Sequence, residues 1–156
     1  MCSSDLGQAQ YVRALAPNSL LLIKFESQLA DRPLLALEQL GFGGQDSVRG
    51  YRQDLLLADN GVIASAEVRF PIFTPPESKQ VFQLVPFLDF GYGWNQPNSP
   101  RPQPNSIAST GLGLRYQSND NFSARLDYGI PFTAIENRRT GQEKGFYFSL
   151  NYNRSF

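Results

Sequence analysis

Hydrophobic and polar positions alternate along most of the chain. From Val81 to Trp94 the even positions are Phe82, Leu84, Pro86, Leu88, Phe90, Tyr92 and Trp94, all apolar, whereas the odd positions are Val81, Gln83, Val85, Phe87, Asp89, Gly91 and Gly93. Successive side chains of a strand point to opposite faces, so this segment reads as a strand with one wholly apolar face and one mixed face. The split recurs. Over 121–130, Phe122, Ala124, Leu126, Tyr128 and Ile130 oppose Asn121, Ser123, Arg125, Asp127 and Gly129. Over 61–72, Val62 through Ile72 oppose Ile63, Ser65, Glu67, Arg69 and Pro71. Phe146, Phe148, Leu150, Tyr152 and Phe156 oppose Tyr147, Ser149, Asn151, Asn153 and Ser155; Leu21, Ile23, Phe25 and Leu29 oppose Lys24, Glu26 and Gln28. Another strand-like segment precedes these near the N-terminus. Ser106–Tyr116 alternates less cleanly, loosened by Gly111 and Gly113. No segment longer than a turn carries a helical period, so the chain reads as all-β.

Alternation alone does not separate a soluble sandwich from a membrane barrel, because strands of both carry one apolar face. Length separates them better. Most segments span ten to fourteen residues, where globular strands have about 5–6 and membrane strands about 9–11. Full charges sit on the mixed face (Lys24 with Glu26, Glu67 with Arg69, Arg125 with Asp127) and almost none on the apolar one. Connections also alternate, short at APNS, FTPPESKQ and QSND, long over 31–60, NQPNSPRPQPNS and FTAIENRRTGQEK. Short turns at one end and long loops at the other are the habit of outer-membrane barrels. Pro86 removes a ladder hydrogen bond within its strand and is expected to mark a bulge.

Composition narrows the chemistry. The chain lacks histidine and holds one cysteine, Cys2, and its 14 basic and 14 acidic side chains cancel. The usual general base, the imidazole metal ligand and a disulfide framework are thus missing from these residues. No catalytic residue, metal ligand or cofactor is assigned, and the neutral balance gives no reason to expect nucleic acid. No eighteen-residue apolar run is present, and MCSSDLGQAQ has neither the basic nor the apolar region of a signal peptide. Residues 1–7 are left unassigned, and 8–156 are expected to be the C-terminal part of a larger barrel domain.

Two short motifs remain. QDSVRGYRQD (residues 45–54) is a charged segment hinged at Gly50 within the longest loop, and FLDFG (87–91) places Asp89 on the mixed face of its strand. If the apolar face meets lipid, Asp89 points inward and wants a cation. Gly41–Gly44 has the glycine content of a phosphate loop, but no helix pattern follows, so it reads as a turn. Glu67 and Arg69 read as ordinary wall charge.

V-R-G-Y followed some forty residues later by F-x-D-x-G resembles the secretion/activation transporters of two-partner secretion, the haemolysin and filamentous-haemagglutinin type, within the outer-membrane polypeptide-transport superfamily. Residues 41–72, FLDFGYGW and the terminal Phe156 carry the likeness. The resemblance implies an outer-membrane barrel, about six to seven antiparallel strands of which lie in this chain, with loop 31–60 folded into the lumen. It implies a loop latch of Val48, Arg49, Gly50, Tyr51, Phe87, Asp89 and Gly91, in which Arg49 pairs with Asp89. It further implies an assembly signal of Phe148, Leu150, Tyr152 and Phe156. The expected partners are a secreted exoprotein cargo, outer-membrane lipid and the barrel-assembly machinery. A barrel-assembly insertase of the same superfamily, a diffusion porin, a hydrolase completed by residues elsewhere and a soluble β-sandwich binder are the rival readings.

Overall fold

The computed structural model describes residues 4–75, 80–97, 99–118, 122–133, 141 and 143–152. Seven long strands form one antiparallel sheet: β1 (Ser4–Ala16), β2 (Ser19–Ala30), β5 (Asn60–Phe73), β6 (Gln80–Trp94), β7 (Ser106–Ser118), β8 (Phe122–Pro131) and β9 (Phe146–Tyr152). They follow one another in chain order. Among the described residues, the segment between β2 and β5 forms a small hairpin of its own from β3 (Leu40–Phe42) and β4 (Leu56–Ala58). β1 takes in Ser4–Gly7, which the sequence pattern left unassigned, and pairs them with Ser27–Ala30.

The two faces of the sheet differ completely. On one, Leu88, Phe90, Leu112, Leu114, Leu126, Ile130, Phe148 and Leu150 stay exposed. Aromatic side chains gather at both ends of this bare face. Phe73, Phe82, Tyr116 and Phe122 form a chain of ring contacts near the short turns, and Tyr92–Trp94 and Tyr128–Phe146 pair near the long connections. Phe82 and Tyr92 are ten positions apart on β6. At about 3.3 Å per residue and a tilt near 40°, the two groups lie about 25 Å apart, the height of the apolar band of a membrane barrel.

The other face is covered by segment 31–59. Leu40, Phe42, Val48, Tyr51, Leu56 and Ala58 from that segment pack on Ile63 and Ile107 of the wall, and this is the buried core. The strand of 106–116 is fuller than its alternation suggested, running as Ser106–Ser118. Its glycines are seats rather than weaknesses: a Cβ at Gly111 would lie 2.6 Å from the Phe87 ring. Gly91 and Gly93 serve the loop similarly, since a Cβ at either would meet the Phe42 ring at 2.8–2.9 Å.

Pro86 behaves differently from the expected bulge. It pairs with Leu112 of β7 without a register shift. Toward β5 the pairing skips from Glu67↔Phe87 to Phe70↔Leu84 with the register kept, and the shift falls instead between Pro71 and Phe73. Pro86 thus interrupts one ladder by its missing N–H without inserting an extra residue.

Candidate functional site

The tip of the covering loop lies on the centre of the wall. Gly50 has φ 99°, in the left-handed region that favours glycine. Its backbone approaches Gly129 of β8 so closely that a Cβ there would lie 2.8 Å from Gly50 Cα. The turn directs the neighbouring Arg49 at β6. Strand alternation puts Asp89 on the covered face with no solvent exposure, and Arg49 is 3% exposed.

Arg49 Nε donates to Asp89 Oδ2 at 2.7 Å and Nη2 to Oδ1 at 2.8 Å, a two-pronged contact suited to the planar guanidinium. The Arg49 backbone N–H also donates to Oδ2 at 3.0 Å, and the Ser65 hydroxyl to Oδ1 at 2.6 Å. Phe87, two residues earlier on the same face, stacks its ring 3.5 Å below the guanidinium carbon. Burial pulls the Arg49 pKa down, but the hydrogen bond and charge of Asp89, with the charges of Glu67 and Asp127, more than offset it and hold it above the ordinary arginine value.

Glu67 is more than wall charge. It lies across from Phe87 in the β5–β6 register and accepts from Arg49 Nη1 at 3.1 Å. It also accepts from Arg69 Nη2 at 2.7 Å and Arg115 Nη2 at 3.1 Å. Sequence reasoning missed this because the link runs through the register of β5, β6 and β7, which no local motif states. Ser65, facing Asp89 in register, was missed for the same reason. Farther across the wall, Arg125 pairs with buried Asp127 and reaches the Gln45 carbonyl of the loop at 3.4 Å.

The other sequence-derived residues fall around this centre. Val48 is fully buried against the wall near Gly91. Tyr51 turns away from the ion pair, donating its hydroxyl to the Ala108 carbonyl at 2.8 Å and accepting from the Thr133 N–H at 3.1 Å. Tyr147 on β9 accepts the Gly50 N–H at 2.8 Å and donates to the Tyr51 carbonyl, so it grips the tip from the far side. Sequence reasoning assigned Tyr147 no role; its place on the face opposite Phe146 and Phe148 was the available signal. Phe148, Leu150 and Tyr152 stand on the bare face, 66%, 53% and 67% exposed. Phe156 lies outside the described residues. Among the described residues no group of His, Cys, Asp and Glu could hold a metal ion.

No curated protein matches the chain. Among solved structures, CdiB from Acinetobacter baumannii is similar over 96% of the chain with a TM-score of 0.68 and 24% identity. The chain spans about a quarter of that protein's length (26%). The model of the Omp85 superfamily domain matches residues 17–153. These findings account for the bare apolar face, the two aromatic groups and the inward carboxylate together. The chain belongs to the Omp85 superfamily, and its sheet is a stretch of an outer-membrane barrel wall whose covered face is the lumen side.

Proposed function

We propose that this chain is part of a passive pore of two-partner secretion, which threads an unfolded exoprotein of the haemolysin or adhesin type across the outer membrane. Loop 31–59 is the retained plug of that pore, and Arg49 on Asp89 is its latch. The supporting observation is the inward-folded arginine, bound through both prongs to a carboxylate of the wall. The likeness to CdiB, a two-partner secretion transporter, points the same way. Folding of the cargo outside the cell drives passage. Acyl chains of outer-membrane lipid cover the bare face, and the barrel-assembly machinery reads Phe148, Leu150 and Tyr152 with Phe156.

The test is secretion by the full-length protein, co-expressed with its exoprotein partner. Arg49→Ala should cut secreted cargo sharply while the barrel still inserts and shows heat-modifiable migration. Unchanged secretion in that variant overturns the latch, and absence of any cargo dependent on the unaltered protein overturns the secretion reading.

A further inference from the structure

A second polar knot lies away from the tip, where the loop leaves and rejoins the wall. Asp59, between β4 and β5, has no solvent exposure. Its Oδ1 accepts the Leu34 N–H and a Gln39 Nε2 hydrogen, both at 2.9 Å. Its Oδ2 accepts the Gln96 N–H at 3.2 Å. Its own N–H donates to Asn95 Oδ1 at 2.8 Å, and its carbonyl accepts from Gln28 Nε2 at 3.3 Å. Next to it, Asn60 Oδ1 accepts the Ala30 N–H at 2.7 Å, and Gln28 Nε2 also donates to the Glu38 carbonyl at 2.9 Å.

The anion is thus held by neutral N–H donors alone. Burial by itself would raise its pKa, but the hydrogen bonds from Gln39, Leu34 and Gln96 outweigh that and hold it below the ordinary range. A buried carboxylate without its donors is costly, so these segments are joined as long as Asp59 is ionised. They are the entry limb of the loop (34–39), its exit limb (59–60) and the start of the neighbouring long connection (95–96).

We propose that Asp59 is a positioning residue that clamps the root of the lumen loop to the adjacent 95–105 connection, independently of the Arg49–Asp89 contact at the tip. The tip stands ten residues from the root along either limb, Gln39 to Arg49 and Arg49 to Asp59. A tip freed from Asp89 can therefore reach no farther than about 36 Å from a fixed base. With the root released as well, the loop could leave the barrel altogether. Asp59 makes the loop a hinged flap and ties its hinge to the neighbouring connection. This goes beyond the functional reading and rests on it only for the idea that the flap matters to transport.

Amide hydrogen exchange on the full-length protein in lipid nanodiscs tests the clamp without any cargo. In Asp59→Ala the Leu34 and Gln96 amides should exchange about tenfold faster or more, while the Arg49 and Gly50 amides keep their protection. Asp59→Asn retains one acceptor oxygen, which serves Leu34 and Gln39, and turns an NH2 toward the Gln96 N–H. Exchange should then quicken at Gln96 and not at Leu34. Should Asp59→Ala fail to fold, Asp59→Asn carries the test alone. Unchanged Gln96 exchange in Asp59→Asn overturns the proposal, and so does equal acceleration at Gln96, Arg49 and Gly50, which would make root and tip one unit. Secretion by the unaltered protein tests the functional reading separately, so the two can fail independently.

Discussion

Replacing Asp89 by alanine removes the acceptor for three donors of Arg49 and for the Ser65 hydroxyl. Two unit charges about 4 Å apart attract by roughly 4 kcal/mol at an effective dielectric near 20. The desolvation of both groups consumes several kcal/mol, so the intact pair adds little net stability. Breaking it is another matter, because a buried guanidinium left behind costs about 3–5 kcal/mol. Arg49 retains Glu67 at 3.1 Å and the Phe87 ring at 3.5 Å, which places the loss toward the lower end of that range. Against it stands the apolar seating of the loop. Phe42, Val48 and Tyr51 are each 0–1% exposed, and three such side chains supply together about 5–9 kcal/mol.

The comparison decides the phenotype: the tip loosens, but the loop does not leave. Asp89→Ala is therefore expected to insert and fold, to secrete markedly less cargo, and to exchange its Arg49 and Gly50 amides at least tenfold faster. Phe42 and the β3–β4 hairpin should keep their protection. Three measurements on one preparation check this: heat-modifiable migration, secreted cargo and site-resolved exchange. Wild-type secretion together with wild-type exchange at Arg49 would refute the reasoning, since the ion pair would then hold nothing.

The exchanged pair Arg49→Asp with Asp89→Arg should not restore secretion above the level of either single variant, because an aspartate at 49 would face Glu67 of the wall; recovery to half of wild type or more would contradict the geometry. Gly91→Val should lift the loop, as its Cβ would meet the Phe42 ring at 2.8 Å and Val48 at 3.1 Å, an overpacking of about 1–3 kcal/mol. Planar-bilayer recordings should then show higher ion conductance from a normally inserted barrel, and unchanged conductance would argue against the loop as plug. Asp59 sets a pH dependence. Its folded pKa is below the unfolded value of about 3.9, so its stabilisation is complete above that value and is lost as pH falls through the folded one. Its hydrogen-bonding partners Gln28, Leu34, Gln39, Asn95 and Gln96 do not titrate. Leu34 and Gln96 protection, corrected for intrinsic rates, should hold at neutral pH and drop as the pH falls below about 4 in the unaltered protein. A flat profile would exclude Asp59 as the clamp.

The strands and their faces were legible because the wall of a membrane barrel carries an unbroken apolar face, and alternation records that face residue by residue. Asp89 was legible as inward by the same parity. What the sequence could not state was register. Glu67 reaches Arg49 because it stands opposite Phe87, and Ser65 reaches Asp89 because those two are paired. One residue of slip of β5 against β6 would send Ser65 and Glu67 to the other face, away from Asp89 and Arg49. The glycines misled for a related reason. In isolation Gly111 and Gly113 look like a weak strand, yet on the covered face an absent side chain is room for another backbone or ring. Asp59 escaped notice because ADNG reads as a turn, and its donors come from residues 34, 39 and 96, which only the folded chain assembles.

The order of these contacts along the wall implies a division of labour. The apolar seating of Phe42, Val48 and Tyr51 supplies most of the attraction, but apolar contact such as that of Phe42 over Gly61, Gly91 and Gly93 is non-directional. The guanidinium does not: two prongs on Asp89, a third nitrogen on Glu67 and a ring beneath leave it a single position. An interaction with small net energy and narrow geometry is suited to fixing where the tip stops rather than whether the loop stays. The wall below continues the pattern, with Glu67 already shared by Arg69 and Arg115. When Arg49 departs, Glu67 therefore remains paired, and Asp89 is left with the Ser65 hydroxyl and room for water. The electrostatic cost of freeing the guanidinium then falls mainly on one carboxylate, which suits the latch proposed for this contact.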